Sequence, residues 1–430
     1  MIPIQLEIKA LAPLAIGRQK PGGSVNEAED YIPGSVIRGA IAGKILKQSG
    51  HESTDLTNNG GDFQILFLGE SPAIFHNAYP AIAQISQDEL QSVAEPVRIL
   101  PATAVSAKNN PGFKSSGKNG AFDTLIDSFC AEAYGYPYDP SDPTALAKGE
   151  EARVEPYSGF YSQVGQTYRS HSASKRFLTR VGINRRRATA EDAILYSLEV
   201  LNESFPRNPK AKQPTWDANC YRSLIFVANQ AIAGSLTGFI NQNCDRFRIG
   251  GSTSRGLGKV EMKATPLEPA PDLACRVDQF NQALKDRWQL WSAFGNPPVD
   301  RLTNRIYFTL DLQADAILTD RWQRTTVISP AMLQTFAAME QYALPQLHTA
   351  YSSYAYRSGW NAAWGLMKDV EAIVNKGATY LFSIPETDKD AWIAALATLE
   401  EGGVGDRTAE GFGQVQVCNQ FHLVVRENAV

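Results

Sequence analysis

Gly250-Gly251-Ser252-Thr253-Ser254-Arg255-Gly256-Leu257-Gly258-Lys259-Val260 is one of two copies of a single pattern in this chain. The other is Gly405-Asp406-Arg407-Thr408-Ala409-Glu410-Gly411-Phe412-Gly413-Gln414-Val415. Both fit G-x-x-T-x-x-G-[Leu/Phe]-G-x-V, and 155 positions separate them. Each runs into a short alternating stretch, Val260 and Met262 in the first and Val415 and Val417 in the second, the period-2 mark of a strand. A pattern repeated in register predicts two related modules. Glycine tolerates positive φ and lets another backbone come close, so such a loop suits a phosphate chain or a packed neighbour.

The context of the loops removes two commoner readings. A dinucleotide fingerprint needs a helix after its glycines, and here a strand follows. The chain has no G-x-x-x-x-G-K-[ST], so a P-loop is also excluded. A ligand-free turn between helix and strand stays open for either copy. Arg255, Lys259 and Arg407 beside the glycines favour contact with an anionic polymer.

Working outward, residues 2–9 alternate, with Ile4, Leu6 and Ile8 on one face, as in a half-buried strand. A loop follows with Arg18, Lys20 and the acidic run Glu27-Ala28-Glu29-Asp30. In Tyr31-Ile32-Pro33-Gly34-Ser35-Val36-Ile37-Arg38-Gly39, Ser35 is the expected N-cap of a helix whose buried stripe is Ile37, Ile41 and Ile45. Arg38 and Lys44 fall near that helix start or on its open face, where free N–H groups suit a phosphate. Residues from 48 to about 178 read as an insertion rich in turn signals, with helical runs around 87–94 and 121–134.

From Pro156 to Ala190 there is no acidic residue, while Arg169, Lys175, Arg176, Arg180, Arg185, Arg186 and Arg187 alternate with Tyr157, Phe160, Tyr161, Tyr168 and Phe177. Cations meet phosphates and rings stack on bases, so the segment suits single-stranded nucleic acid; the competing reading is a solvated charge run. Residues 194–201 read as a strand and 221–240 as a helix leading into the first glycine loop. A linker at about 264–277 and a helix over 278–293 precede a second alternating strand from Ile306 to Leu312. Helices are expected around 331–342, 361–375 and 388–400, with a strand near 378–384. The cluster Tyr351, Tyr354, Tyr356, Arg357 and Trp360 reads as a subunit interface. The predicted fold is α+β, with tandem ferredoxin-like (RRM-like) modules: a first module over 1–264 carrying the insertion, a linker and helix over 265–301, and a second module over 302–430.

Composition bounds the partners. The net charge of −4 excludes a globally basic nucleic-acid binder, so any such surface is local. The five cysteines are scattered, without C-x-x-C, which predicts reduced thiols in a cytoplasm and no zinc site. The N-terminus opens directly on a strand pattern, without a signal peptide, and no apolar run is long enough for a membrane span.

The opening strand, the Tyr31–Gly39 segment, Gly182-Ile183-Asn184-Arg185 and the loop from Gly250 to Val260 together resemble the RAMP superfamily of CRISPR effector proteins. The likeness covers most of the chain, and the combination looks most like the large Cas-five-related subunit of type III-D complexes. The resemblance implies RRM-like modules that hold guide RNA in a multisubunit, RNA-targeting complex, gripping the repeat-derived 5′ tag and capping the backbone filament. The implied partners are CRISPR guide RNA, target RNA, other RAMP backbone subunits and the large signalling subunit; no membrane, metal or cofactor is expected. The expected RNA-binding residues are Arg18, Lys20, Ser35, Arg38, Lys44, Arg169, Lys175, Arg176, Arg185, Arg186, Gly250, Gly251, Ser252, Thr253, Arg255, Lys259 and Arg407.

An enzyme is the minor reading. Some RAMP backbone subunits cut target RNA with an aspartate in the loop after the first strand. Here that loop offers Glu27, Glu29 and Asp30, but none stands clearly in the matching place; the acids equally fit a solvated turn. His171, with Tyr168 and Lys175 near, is the one histidine in a basic setting and a candidate general base for cutting precursor guide RNA. A protein-only scaffold is the third reading.

Overall fold

The computed structural model describes residues 1–18, 27–49, 62–86, 89–114, 120–141, 153–184, 187, 189–267, 273–361, 366–367 and 369–430. The first half runs β1 (Ile2–Ala10), α1 (Gly34–Ser49) and β2 (Ile74–Phe75). An intervening stretch follows, holding α2 (Leu125–Ala133) and the long hairpin of β3 (Lys175–Asn184) and β4 (Thr189–Leu201). The half closes with β5 (Cys220–Val227), α3 (Gln230–Gln242) and β6 (Lys259–Pro266). After α4 (Leu273–Trp291) the second half runs β7 (Arg305–Leu312), α5 (Pro330–Phe336), β8 (Gln346–Tyr351), β9 (Thr379–Pro385), α6 (Lys389–Gly402) and β10 (Val415–Val417).

Both halves share a four-strand antiparallel order, β6-β1-β5-β2 in the first and β10-β7-β9-β8 in the second; the first sheet adds Phe247–Arg248 beside β6 and Tyr79–Pro80 beside β5. In the first, Ile8 pairs with Tyr221 on one side and Met262 on the other. In the second, Leu310 pairs with Tyr380 and Val417. The alternation of β1 puts Ile4, Leu6 and Ile8 against Ile37 and Ile41 of α1 and Leu236 and Ile240 of α3, all fully buried or nearly so. Each such side chain contributes about 1.5–3 kcal/mol of burial. The second core is larger and takes in Phe308, Phe382 and Trp392.

The intervening stretch belongs to neither sheet alone. Its α2 places Leu125, Ile126 and Phe129 in the second core. Its Phe122 and Tyr161 pack on Phe421 and Val424 near the C-terminus. The stretch read as an insertion over 48–178 also supplies Ile74–Phe75 and Tyr79–Pro80 to the first sheet.

Several local expectations are corrected. Residues 221–240 are not one helix: Cys220–Val227 is the third strand of the sheet, and α3 starts at Gln230, with Asn229 accepting from the Ile232 N–H. Because β5 is largely buried, its run lacks the clean alternation that marks a half-exposed strand. Residues 89–92 and 121–123 are strands, and the helix near 121–134 starts at Leu125. The 361–375 helix is replaced by short strands at Trp360–Asn361, Leu366–Met367 and Glu371–Val374. Ser35 is not an N-cap, because α1 already starts at Gly34, whose N–H donates to Asn77 Oδ1 at 2.8 Å.

Candidate nucleic-acid interface

The two glycine loops are the same structure. Gly250 and Gly405 both have φ of 78°, Ser252 and Arg407 have 55° and 59°, and Gly256 and Gly411 have 84° and 93°. In each, a 3-10 turn (Thr253–Arg255 or Thr408–Glu410) follows the left-handed residue. The anchoring bonds also repeat: Gly251 N–H donates to the Ala15 carbonyl at 2.8 Å, and Asp406 N–H to that of Ile317 at 2.9 Å. Backbone crowding forces the last glycine of each loop. A Cβ on Gly258 would lie 2.3 Å from the Ile249 carbonyl oxygen, and one on Gly413 1.8 Å from that of Val404.

Their surroundings differ. The second loop is turned onto the first half of the chain, where its 3-10 turn touches α1 and β2. Arg407 is spent internally, bonded to Glu410 at 2.6 Å and Glu371 at 3.2 Å and lying over the Phe412 ring. Burial works against its charge, but the Glu410 hydrogen bond and the two carboxylates raise its pKa. The first loop stays open, with Gly251, Ser254, Arg255, Gly256 and Lys259 exposed. Its Arg255 donates to the Tyr196 hydroxyl at 2.6 Å. Arg248 pairs in register with Lys259. Both side chains are exposed, and among the described residues neither has an ion-pair partner.

The hairpin β3–β4 projects beside this loop. One face packs on it: Leu178, Leu198 and Val200 close over Leu257, and the Arg180 guanidinium reaches the Arg255 carbonyl at 3.3 Å. The other face is open and largely apolar, with Phe177 58%, Val181 49%, Ile183 67% and Leu195 71% exposed. A two-stranded ribbon that leaves such a ladder in water, with cations at its root, is built to meet another surface. At the root, Lys175 Nζ donates to the Ala28 carbonyl and pairs with Asp30, both contacts within 2.6 Å. Arg176 pairs with Glu203 at 2.8 Å.

The other expected residues scatter. Arg38 donates to the Phe67 carbonyl at 2.9 Å and lies over the Phe67 ring, so it braces α1 against the segment before β2. Ser35 and Lys44 are half-buried on α1, and Arg169 is half-buried on the strand Thr167–His171. Arg18, exposed, pairs with Glu27 at 3.9 Å. Lys20, Arg185 and Arg186 lie outside the described residues.

The acidic candidates do not converge. Asp30 and Glu27 are held by Lys175 and Arg18, and Glu29 is buried against Arg357 at 2.7 Å. His171 is 5% exposed, with Nδ1 bonded to the Ile82 carbonyl and Nε2 to Ser162; burial lowers its pKa to about 4. It ends the strand Thr167–His171, and both of its ring nitrogens face protein partners. Among the described residues no group of His, Cys, Asp or Glu is arranged to hold a metal ion, and no helix is long and apolar enough to cross a membrane.

Sequence reasoning missed the centre between the halves. Arg357 reaches both Glu29 and, at 3.4 Å, Asp315. Burial opposes its charge, but Tyr31, Asp315 and Glu29 raise its pKa. Beside it lies a cleft of about 660 Å³, lined by Arg18, Asp30, Tyr157, Tyr356 and Lys376 among others. These residues lie too far apart in the chain for any spacing rule to join them. Tyr354 and Tyr356, from the cluster read as an interface, are both more than half exposed.

No curated protein matches the chain. Among solved structures, a chain of the type III-B Cmr-beta complex bound to cognate target RNA and AMPPnP is similar at 11% identity and a TM-score of 0.36, over 91% of this chain and 93% of that one. The oligomeric Cmr4 of Pyrococcus furiosus is similar at 11% identity and a TM-score of 0.26, over 62% of this chain and 99% of that one. The RAMP superfamily model matches residues 7–261, from within β1 to within β6, and by that match over more than half its length the chain belongs to the RAMP superfamily.

Proposed function

We propose that this chain is a non-catalytic guide-RNA-binding subunit of a type III CRISPR effector complex. The observation that carries the reading is the joint of the first glycine loop with the β3–β4 hairpin. There, Arg255 meets Tyr196 of a ribbon that presents Phe177 and an apolar ladder to solvent, and Arg248 and Lys259 stand exposed on the strands that flank the loop. Cations along a backbone track and exposed rings for stacking are the combination single-stranded RNA needs. Membership of the superfamily supports the assembly side of the reading.

On this reading the halves act as tandem ferredoxin-like modules, 1–264 and 302–430, joined through 265–301; the shared strand order supports that division. The finer assignment is the Cas-five-related large subunit of a type III-D complex, which holds the repeat-derived 5′ tag and caps the backbone. A non-catalytic role is supported by the burial of His171 and the pairing of Asp30 with Lys175.

Ultraviolet crosslinking of the assembled complex, with mapping of the attached nucleotide, tests this function. Attachment of the 5′ tag to the β3–β4 hairpin, or to Arg248 or Lys259, is the expected result. Attachment along the spacer would replace the capping role with a backbone one, and a complex whose RNA never attaches to this chain would overturn the RNA reading.

A further inference from the structure

The chain has two glycine loops and, among the described residues, one seat. The second loop sits where α1 begins: a Cβ on Gly411 would lie 2.7 Å from Asn77 Oδ1 and 2.9 Å from the Phe75 carbonyl oxygen. From the other side, a Cβ on Gly34 would lie 1.9 Å from the same Phe75 oxygen and 3.0 Å from the Glu410 carbonyl oxygen. Pro33-Gly34-Ser35 and Phe75 therefore form a socket for the loop; Phe75 of the same half imposes the glycine at 34, and the Glu410 carbonyl packs tightly against it.

The first loop has the same backbone without a socket. Gly256, the counterpart of buried Gly411, would meet nothing within 4 Å at a Cβ. Ser254 and Arg255 are exposed, whereas their counterparts Ala409 and Glu410 are half-buried. Among the described residues, the Arg255 carbonyl, counterpart of the one facing Gly34, receives only Arg180, at 3.3 and 3.4 Å, long for hydrogen bonds. Among the described residues the second half supplies no spare socket of this kind. Its helix α5 starts with Pro330, and Ser329 caps it by accepting from the Met332 N–H.

We propose that the first loop is the free half of a protein–protein joint, seating on the Pro-Gly-Ser helix start of another RAMP subunit. This rests on the assembly part of the proposed function, not on the RNA contact. The occupied joint is head-to-tail, loop of one module into socket of the next. Such heterologous contacts extend a row of modules instead of closing a pair. The two copies differ in charge at one position: Glu410 of the seated loop, which pairs with Arg407 of the same loop, stands where the free loop has Arg255. The partner socket is a glycine-started helix.

The test places a benzophenone photo-crosslinking residue at position 254 of the full chain within the assembled complex. The expected product joins residue 254 to the first turn of the helix after the first strand in a neighbouring RAMP subunit. Ser254→Trp should also lower the affinity for that subunit about tenfold or more, the scale set by removing one interface anchor. Its thermal midpoint should match that of the parent chain. Crosslinking to RNA, to another surface of a subunit, or to nothing would overturn the joint while leaving the assembly reading intact. Failure of any RAMP subunit to co-purify with the unaltered chain would overturn both.

Discussion

His422 Nε2 lies 2.9 Å from Asp311 Oδ1, and both side chains are sealed from solvent. The other ring nitrogen lies 3.0 Å from Asp123 Oδ1. One imidazolium thus ties the C-terminal segment to β7 and to the intervening stretch. Burial alone would discharge the ring, but the two carboxylates outweigh it and lift its pKa to about 10 from the ordinary 6.5.

The sign of the pH effect follows from that direction. A raised folded pKa means a contribution to stability that is complete below about pH 6.5 and is lost as the pH rises through about 10. Thermal midpoints measured across this window should fall more steeply for the parent chain than for His422→Gln. His422→Leu, which strands two buried carboxylates, should cost about 3–5 kcal/mol in urea unfolding. A variant as stable as the parent would show that the ring is neutral in the fold.

Arg357 holds the two halves together through Glu29 and Asp315. Its removal leaves both carboxylates without their shared cation, so Arg357→Ala should cost about 3–5 kcal/mol. Limited proteolysis should then cut more readily between the halves. Arg357→Lys should restore only part of the stability, since an ammonium cannot span both acids with a planar fork.

RNA affinity should respond to the cations that the fold leaves open. Arg248→Ala with Lys259→Ala should reduce the slope of log K against log salt by about 0.7 for each phosphate that is no longer neutralised. Unfolding midpoints should not move, because both side chains are exposed. Arg407→Ala makes the opposite prediction: lower stability, with no change in that slope, since its charge is already matched by Glu371 and Glu410.

The glycines divide by crowding. Gly413→Ala forces a Cβ into the Val404 carbonyl and should cost more than about 3 kcal/mol. Gly256→Ala meets open space and carries only the left-handed backbone penalty, about 1–2 kcal/mol. Denaturant midpoints of the two variants give the comparison directly.

His171→Ala should leave RNA processing by the complex unaltered and cost about 1–3 kcal/mol, because it strands Ser162 and the Ile82 carbonyl. Loss of cleavage without loss of stability would return His171 to the catalytic candidates.

The paired glycine loops were legible because backbone crowding imposes a local pattern, and the pattern survived in both copies. The central strands β1 and β7 were legible from their alternation. Strand β5 was not, since burial on both faces removes the alternation that separates strand from helix. Nor was the 361–375 region, where hairpin pairing overrides helical spacing. The basic window was visible, but not which arginines it would spend: Arg176 goes to Glu203, while Arg180 turns to the glycine loop. The contact of Glu29 with Arg357 spans 328 positions, and nothing local announces it.

Strand β1 lies between β5 and β6, so its residues find their strand partners only from position 220 onward. During synthesis, Ile4, Leu6 and Ile8 must therefore wait, unpaired, for more than half of the chain to leave the ribosome. Contacts of such separation form slowly and leave edges open to wrong pairing. Truncation anywhere before β6 would release a chain whose N-terminal strand has no complete sheet to join. Yield in recombinant expression should therefore depend on elongation through the intervening stretch at least as much as on the stability of the finished fold.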